Sequence, residues 1–227
     1  MGPGSDRYDP LLTDGASVTT LSVYSNVILD ALDGRRSVPS KQLGPPGPDD
    51  ATVLRMLRSA VRVPDHGKRV PFRFLRIQGD SRDALGLRLA QRCRERDPGA
   101  SEAVVEKDRH RFDHAPVIVT VIARLGPDQK IPVQERLLSA GCVCFALLQA
   151  AQALGFGAQW LTGWAAYDPE IARFLGLGED ETIVGFVHIG TAALDAPERE
   201  RPDPAGLLSE WTPPADASGT DASGAGA

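Results

Sequence analysis

The chain has 227 residues, 42% of them hydrophobic and 24% charged, with a formal net charge of −5 and a pI near 5.4. This size and balance predict one soluble domain with a real core. An acidic molecule is poorly attracted to the anionic surfaces of nucleic acids and membranes, so neither is expected as a partner.

Residues 1–21 are rich in Gly, Pro, Asp, Ser and Thr without periodicity and read as a flexible leader. They lack the charged and apolar regions of a signal peptide, so the cytoplasm is the expected location. A helix is predicted from Val23 to Asp33, where Val23, Val27, Ile28, Ala31 and Leu32 recur at helical spacing and Gly34 offers a C′ residue. Ser40 to Pro48 reads as a loop. Asp49 and Asp50 then begin a helix that runs to about Val61 and is ended by Pro64. Next come a strand over Arg73–Gln78, a turn at Gly79, a helix over Arg82–Arg94 and a charged helix over Glu102–Arg111.

Val117 to Ile122 is apolar on both faces, as a central strand must be. The helix expected from Val133 to Leu154 contains an apolar stretch near the minimum for a membrane span. Gln149 and Gln152 interrupt it and Gly155-Phe156-Gly157 ends it, so a core or interface helix fits better. Cys93, Cys142 and Cys144 are odd in number and form no C-x-x-C pair, which suits small buried residues of a reducing compartment. A short strand over Gln159–Thr162, a helix over Pro169–Leu175 and a last strand over Thr182–Ile189, closed by Gly190, complete the ordered part. Pro197 to Trp211 forms an extension too poor in apolar residues for a core of its own, so it needs another surface. Residues 213–227 should be disordered. One domain, 22–212, remains. Its strands are separated by uneven helices, and both G-x-G-x-x-G and a P-loop are absent. The class is therefore α+β, with a mixed or antiparallel sheet flanked by helices.

Positive charge concentrates at two turns. Arg35-Arg36-Ser37 follows the first helix, where arginines either satisfy end carbonyls or, with the serine, clamp a phosphate. Arg62 to His66, with Lys68, Arg69 and Arg73 close behind, places cations and an imidazole where a core has no use for them; a phosphorylated small molecule would. His110 and His114 have metal-ligand spacing, but no H-E-x-x-H pattern accompanies them and Pro116 closes the helix. His188, within a strand, reads as structural. Trp160-Leu161-Thr162 follows a glycine turn that either only packs or lets backbone approach a flat ring. With no Ser-His-Asp, Cys-His or carboxylate pair to be picked out, a cofactor is expected to carry any chemistry.

Taken in order, these landmarks resemble the flavin-dependent nitroreductase family, especially its short single-domain bacterial branch. They are Arg35-Arg36-Ser37, Arg62 to His66 through Pro71 to Phe74, Ala115 to Thr120, Ser139 to Cys142, Gly155 to Trp160, and Ile183 to Phe186 with Gly190-Thr191. The resemblance spans about Val27 to Pro204 and implies a nitroreductase-like fold. It also implies an intertwined homodimer, with the C-terminal arm on the partner and FMN held non-covalently at the interface. Arg35, Arg36 and Ser37 would hold the phosphate end, and Arg62 and His66 would reach the same flavin from the other subunit. Trp160, Leu161 and Thr162 would line the isoalloxazine, largely through backbone. Ala150, Ala151, Gln152, Ala153, Leu154 and Gly155 match a stretch implicated in nicotinamide binding, and Arg199 or Arg201 would serve the phosphate. The implied activity is NAD(P)H-dependent reduction of nitroaromatics, quinones or a related acceptor by ping-pong hydride transfer, with no catalytic side chain. The alternatives are a dehalogenating or flavin-consuming relative of this fold, or a flavin binder without turnover. Two departures bear on substrate preference: Phe72 stands where a tryptophan is usual, and Gly67-Lys68-Arg69-Val70 replaces a more polar turn.

Overall fold

A computed structural model describes residues 18–214 of the chain. The expected leader and tail lie outside them, apart from residues 18–21 and 213–214. The strand Val117–Arg124 (β3) is the centre of the sheet, and the sequence pattern explains why. Val117, Val119 and Val121 face one side while Ile118 and Ile122 face the other, all of them buried. β3 pairs antiparallel with Phe72–Gln78 (β2) on one edge and with Glu181–Ala192 (β5) on the other. β5 also pairs with two short strands, Leu43–Gly44 (β1) and Gly157–Leu161 (β4). Every pairing is antiparallel.

Helices cover both faces. Val53 and Met56 of α2 (Asp50–Ala60) and Val143 and Leu147 of α5 (Val133–Ala153) close the valine face. Burying a side chain such as Leu147 completely stabilises the fold by about 1.5–3 kcal/mol relative to exposure. The opposite face is closed by Leu85 and Leu89 of α3 (Asp80–Arg96), by Phe112, and by Ile171 of α6 (Pro169–Phe174). Helix α4 (Glu102–Arg109) packs on α3 through Val105. Although α5 is long and apolar enough to cross a membrane, its Ala140–Val143–Leu147–Ala151 face lies in the core.

Several boundaries differ from the sequence expectation. Helix α1 begins at Val18 rather than Val23 and ends at Asp33. The expected loop over Ser40–Pro48 contains β1, which gives β5 a partner past Gly190 and carries that strand to Ala192. Gly190 is thus an interior residue: a Cβ there would lie 2.6 Å from Pro116 Cδ and 2.9 Å from the Gly44 carbonyl. Helix α4 stops at Arg109 with His110 as its cap, so His114 lies beyond it and the two histidines share no helix face.

The chain divides at Ala196 into two compact units. The described part of the second, 197–214, is irregular except for a 3-10 turn over Pro204–Gly206, capped by Asp203. Leu207, Leu208 and Trp211 are exposed there, and Arg201 pairs with Glu198 at 3.1 Å.

Candidate functional site

The free edge of β4 organises the site. The Val38 amide donates to the Ala158 carbonyl across that edge at 3.1 Å. Backbone groups in an antiparallel strand alternate sides every residue, so the N–H and C=O of Trp160, two positions on, face the same open edge. The segment just before Val38 is Arg35-Arg36-Ser37, which therefore lies beside β4.

Side chains from distant elements pin this loop. Gln152 of α5 accepts from the Arg36 amide at 3.0 Å, and Gln159 of β4 accepts from the Ser40 amide at 2.6 Å. Arg36 Nη1 donates to the carbonyls of Asp33 and Arg35 at 2.7 and 3.1 Å, ending α1 as an arginine at a C-terminus can. Arg35 Nη1 instead donates to Ser37 Oγ at 3.0 Å, which gathers a guanidinium and a hydroxyl at one spot. Gly34, Arg36, Gln152 and Gly155 share a pocket of about 390 Å³.

A second pocket, about 280 Å³, opens on Trp160, Leu161, Thr162 and Gly163, with Arg111, Phe112, Phe186 and His188 as its other walls. A bulge sets its Trp160 side. The register of β3 on β5 passes from Val121–Gly185 to Ile122–Ile183 and leaves Val184 as the extra residue. The Trp160 indole N–H donates to the Val184 carbonyl at 3.2 Å, and the ring lies across Gly185. A Cβ at Gly185 would fall 1.9 Å from Trp160 Nε1. His188 is 1% exposed and Phe112 stacks on it at 5.4 Å. Burial first, then the nearby His114 and Arg111, lowers its pKa to about 4, so the ring is neutral. Its Nδ1 has no hydrogen-bond partner among the described residues.

The other expected site residues lie elsewhere. Arg62 and His66 are exposed on the far side of α2, where His66 Nδ1 meets Glu135 Oε2 at 2.7 Å. Asp65 holds that turn open by accepting from the amides of Arg69 and Val70 at 3.0 and 2.8 Å. Val70 consequently sits at φ 48°, which a β-branched residue adopts only when its surroundings impose it. Glu135 and Gln152 lie near opposite ends of α5, about 25 Å apart along the axis. Arg62 and His66 are thus remote from the Arg35–Ser37 loop of the same chain. Within the expected nicotinamide stretch, Ala150 and Ala151 are buried in the core, Gln152 holds the Arg36 loop, and Ala153, Leu154 and Gly155 are exposed. Arg199 and Arg201 belong to the second unit.

The donor set beside β4 fits FMN. Arg35 and Ser37 offer a guanidinium and a hydroxyl to a phosphate, and the open edge at Trp160 offers a donor and an acceptor to a flat heterocycle. Arg111, Gly185 and the bulge at Val184 carry no local sequence signal, because pairing across the sheet and a loop some fifty residues upstream of Trp160 bring them to the site.

The chain is similar to known proteins in sequence and in fold. The family model described as the nitroreductase family matches residues 32–191. YdjA of Escherichia coli strain K12, provisionally named an NAD(P)H nitroreductase, is 34% identical over 168 residues, 74% of this chain and 90% of YdjA. A Haemophilus influenzae protein with the same provisional name is 33% identical over 173 residues, 76% of this chain and 91% of its own. Among solved structures, a nitroreductase-like protein from Bacillus cereus superposes with a TM-score of 0.69 at 22% identity, covering 81% of this chain and 95% of its own. A provisionally named nitroreductase from Desulfovibrio desulfuricans, solved in complex with FMN, gives a TM-score of 0.64 at 22% identity, over 82% of this chain and 98% of its own. At such identities the structural likeness speaks for the fold.

Proposed function

The chain belongs to the nitroreductase family, and on that premise we propose that it is a cytoplasmic, homodimeric, FMN-dependent NAD(P)H oxidoreductase. Its acceptors would be nitroaromatics, quinones or a related small molecule. The observation that carries this reading is the Val38–Ala158 hydrogen bond, which sets a phosphate-type clamp and an open strand edge side by side. A bound flavin would supply the redox chemistry between a reduced nicotinamide and the acceptor.

The protein binds and orients. Arg35, Arg36 and Ser37 hold the phosphate; the backbone of Trp160, Leu161 and Thr162 fixes the ring. Arg62 and His66, remote from the clamp of their own chain, complete the site of a second copy. Ala150 to Gly155 lie on the nicotinamide side. No side chain is assigned a proton-transfer step, since water serves.

The purified protein should be yellow, bleach anaerobically with NADH or NADPH, and recolour with a nitroaromatic or quinone. Colourless protein that takes up no added FMN would refute the proposal. In Arg35→Ala, loss of a charge-assisted phosphate contact should weaken FMN binding about tenfold or more. The melting temperature without FMN should not change, and unaltered affinity by titration would remove this arginine from the phosphate site.

A further inference from the structure

The pocket beneath Trp160 to Gly163 contains one charged side chain, Arg111; its other walls are Phe112, Phe186, Leu161, Thr162, Trp160 and the neutral His188. Arg111 is held from behind. Its Nε donates to Asp108 Oδ1 at 3.1 Å and its Nη2 to the same oxygen, while Asp108 is 4% exposed. The other carboxylate oxygen accepts from Trp164 Nε1 at 3.0 Å, and the Arg96 guanidinium covers the Trp164 ring at 4.4 Å from its centroid. This leaves Nη1 of Arg111 pointing the other way, towards Gly163: a Cβ at Gly163 would lie 3.1 Å from it. Gly163 itself has φ 65°, a conformation suited to glycine, so the close approach and the backbone turn select the same residue.

We propose that Arg111 raises the reduction potential of the bound flavin, its Nη1 edge facing the ring site across Gly163, and that Asp108 is the positioning residue that holds it there. This rests on the FMN reading above. A hydride from the reduced nicotinamide delivers two electrons and one proton, and the nicotinamide leaves oxidised. The reduced cofactor therefore carries one more negative charge than the oxidised one until a solvent proton joins it. A fixed cation stabilises that extra charge, and it does so more strongly among apolar walls than an exposed arginine screened by salt. The Asp108–Arg111 pair is neutral overall, yet its positive end faces the pocket and its negative end is buried behind. A lysine in place of Arg111 keeps the charge and a glutamine does not, which separates this electrostatic effect from a loss of packing.

The test is the midpoint potential of the FMN-loaded protein, read by equilibration with a redox dye. Arg111→Gln should lower it, corresponding to about tenfold weaker binding of reduced relative to oxidised flavin, and Arg111→Lys should restore most of the loss. Asp108→Asn has one oxygen where Arg111 and Trp164 each use one, and it loses the charge that holds the guanidinium, so it should also lower the potential, by less than Arg111→Gln. No fall in Arg111→Gln, or a fall that Arg111→Lys does not largely reverse, would overturn the proposal. If Arg111→Gln does not fold, Arg111→Met is read against Arg111→Lys by the same criterion. Failure of the wild-type protein to take up FMN is seen before any potential is measured and refutes the cofactor reading itself.

Discussion

A missing methyl group at position 185 decides where the indole of Trp160 lies. The Val184 carbonyl freed by the bulge anchors the ring N–H, and only a glycine leaves room for the ring above it. Gly185→Ala should therefore cost about 1–3 kcal/mol by overpacking, shift tryptophan fluorescence and weaken FMN binding; an unchanged emission spectrum would show that the indole had not moved. His188 is also set by its surroundings. Its folded pKa, about 4, lies below the unfolded value of roughly 6.5. The unfolded chain thus takes up a proton that the folded one refuses, so stability is full above the unfolded value and falls as pH drops from 6.5 towards 4. His188→Gln should flatten the melting-temperature profile over that window, and an unchanged slope would assign the acid sensitivity to other groups. The sequence marked His188 as structural because it sits in a strand. It could not show that Phe112 would stack on it or that Arg111 would come near.

At the scale of elements, the helix and strand types were legible because apolar spacing and glycine or proline punctuation agree locally. Asp49, expected at the start of α2, is its N-cap and accepts from the Thr52 amide at 2.8 Å. What was illegible depends on partners. β5 outlasts Gly190 because β1, two residues long, pairs with its end, and two residues carry no periodic signal. The short helix α6 depends on a single carboxylate. Asp168 accepts from the amides of Glu170 and Ile171 at 3.0 and 3.2 Å and also pairs with Arg92 of α3 at 3.0 Å, while being 7% exposed. Asp168→Ala removes the cap and leaves Arg92 with Glu95, 3.2 Å away, so chemical denaturation should show a loss of about 1–2 kcal/mol. No loss would mean that α6 does not depend on this cap.

For the whole molecule, α5 is the ruler. It holds the His66 turn at one end and the Arg36 loop at the other, so a flavin served by both needs two chains. The exposed apolar residues Leu138 and Phe145 on its outer face mark where a second copy would pack in a symmetric dimer. The wild-type protein should sediment as a dimer at micromolar concentration, and Leu138→Glu should shift it to monomer with loss of FMN. A monomer that keeps its flavin would contradict the shared site. The sequence by itself determined the element types, the α+β class and the contiguous stretches Arg35–Ser37 and Trp160–Thr162, because each is written in neighbouring residues. Only the tertiary structure decided that Val38 binds Ala158, that Arg111 faces Gly163 and that His66 is remote from Arg36. Those relations join residues far apart in the chain, and the pairing of strands and packing of helices that bring them together or hold them apart leave no local pattern.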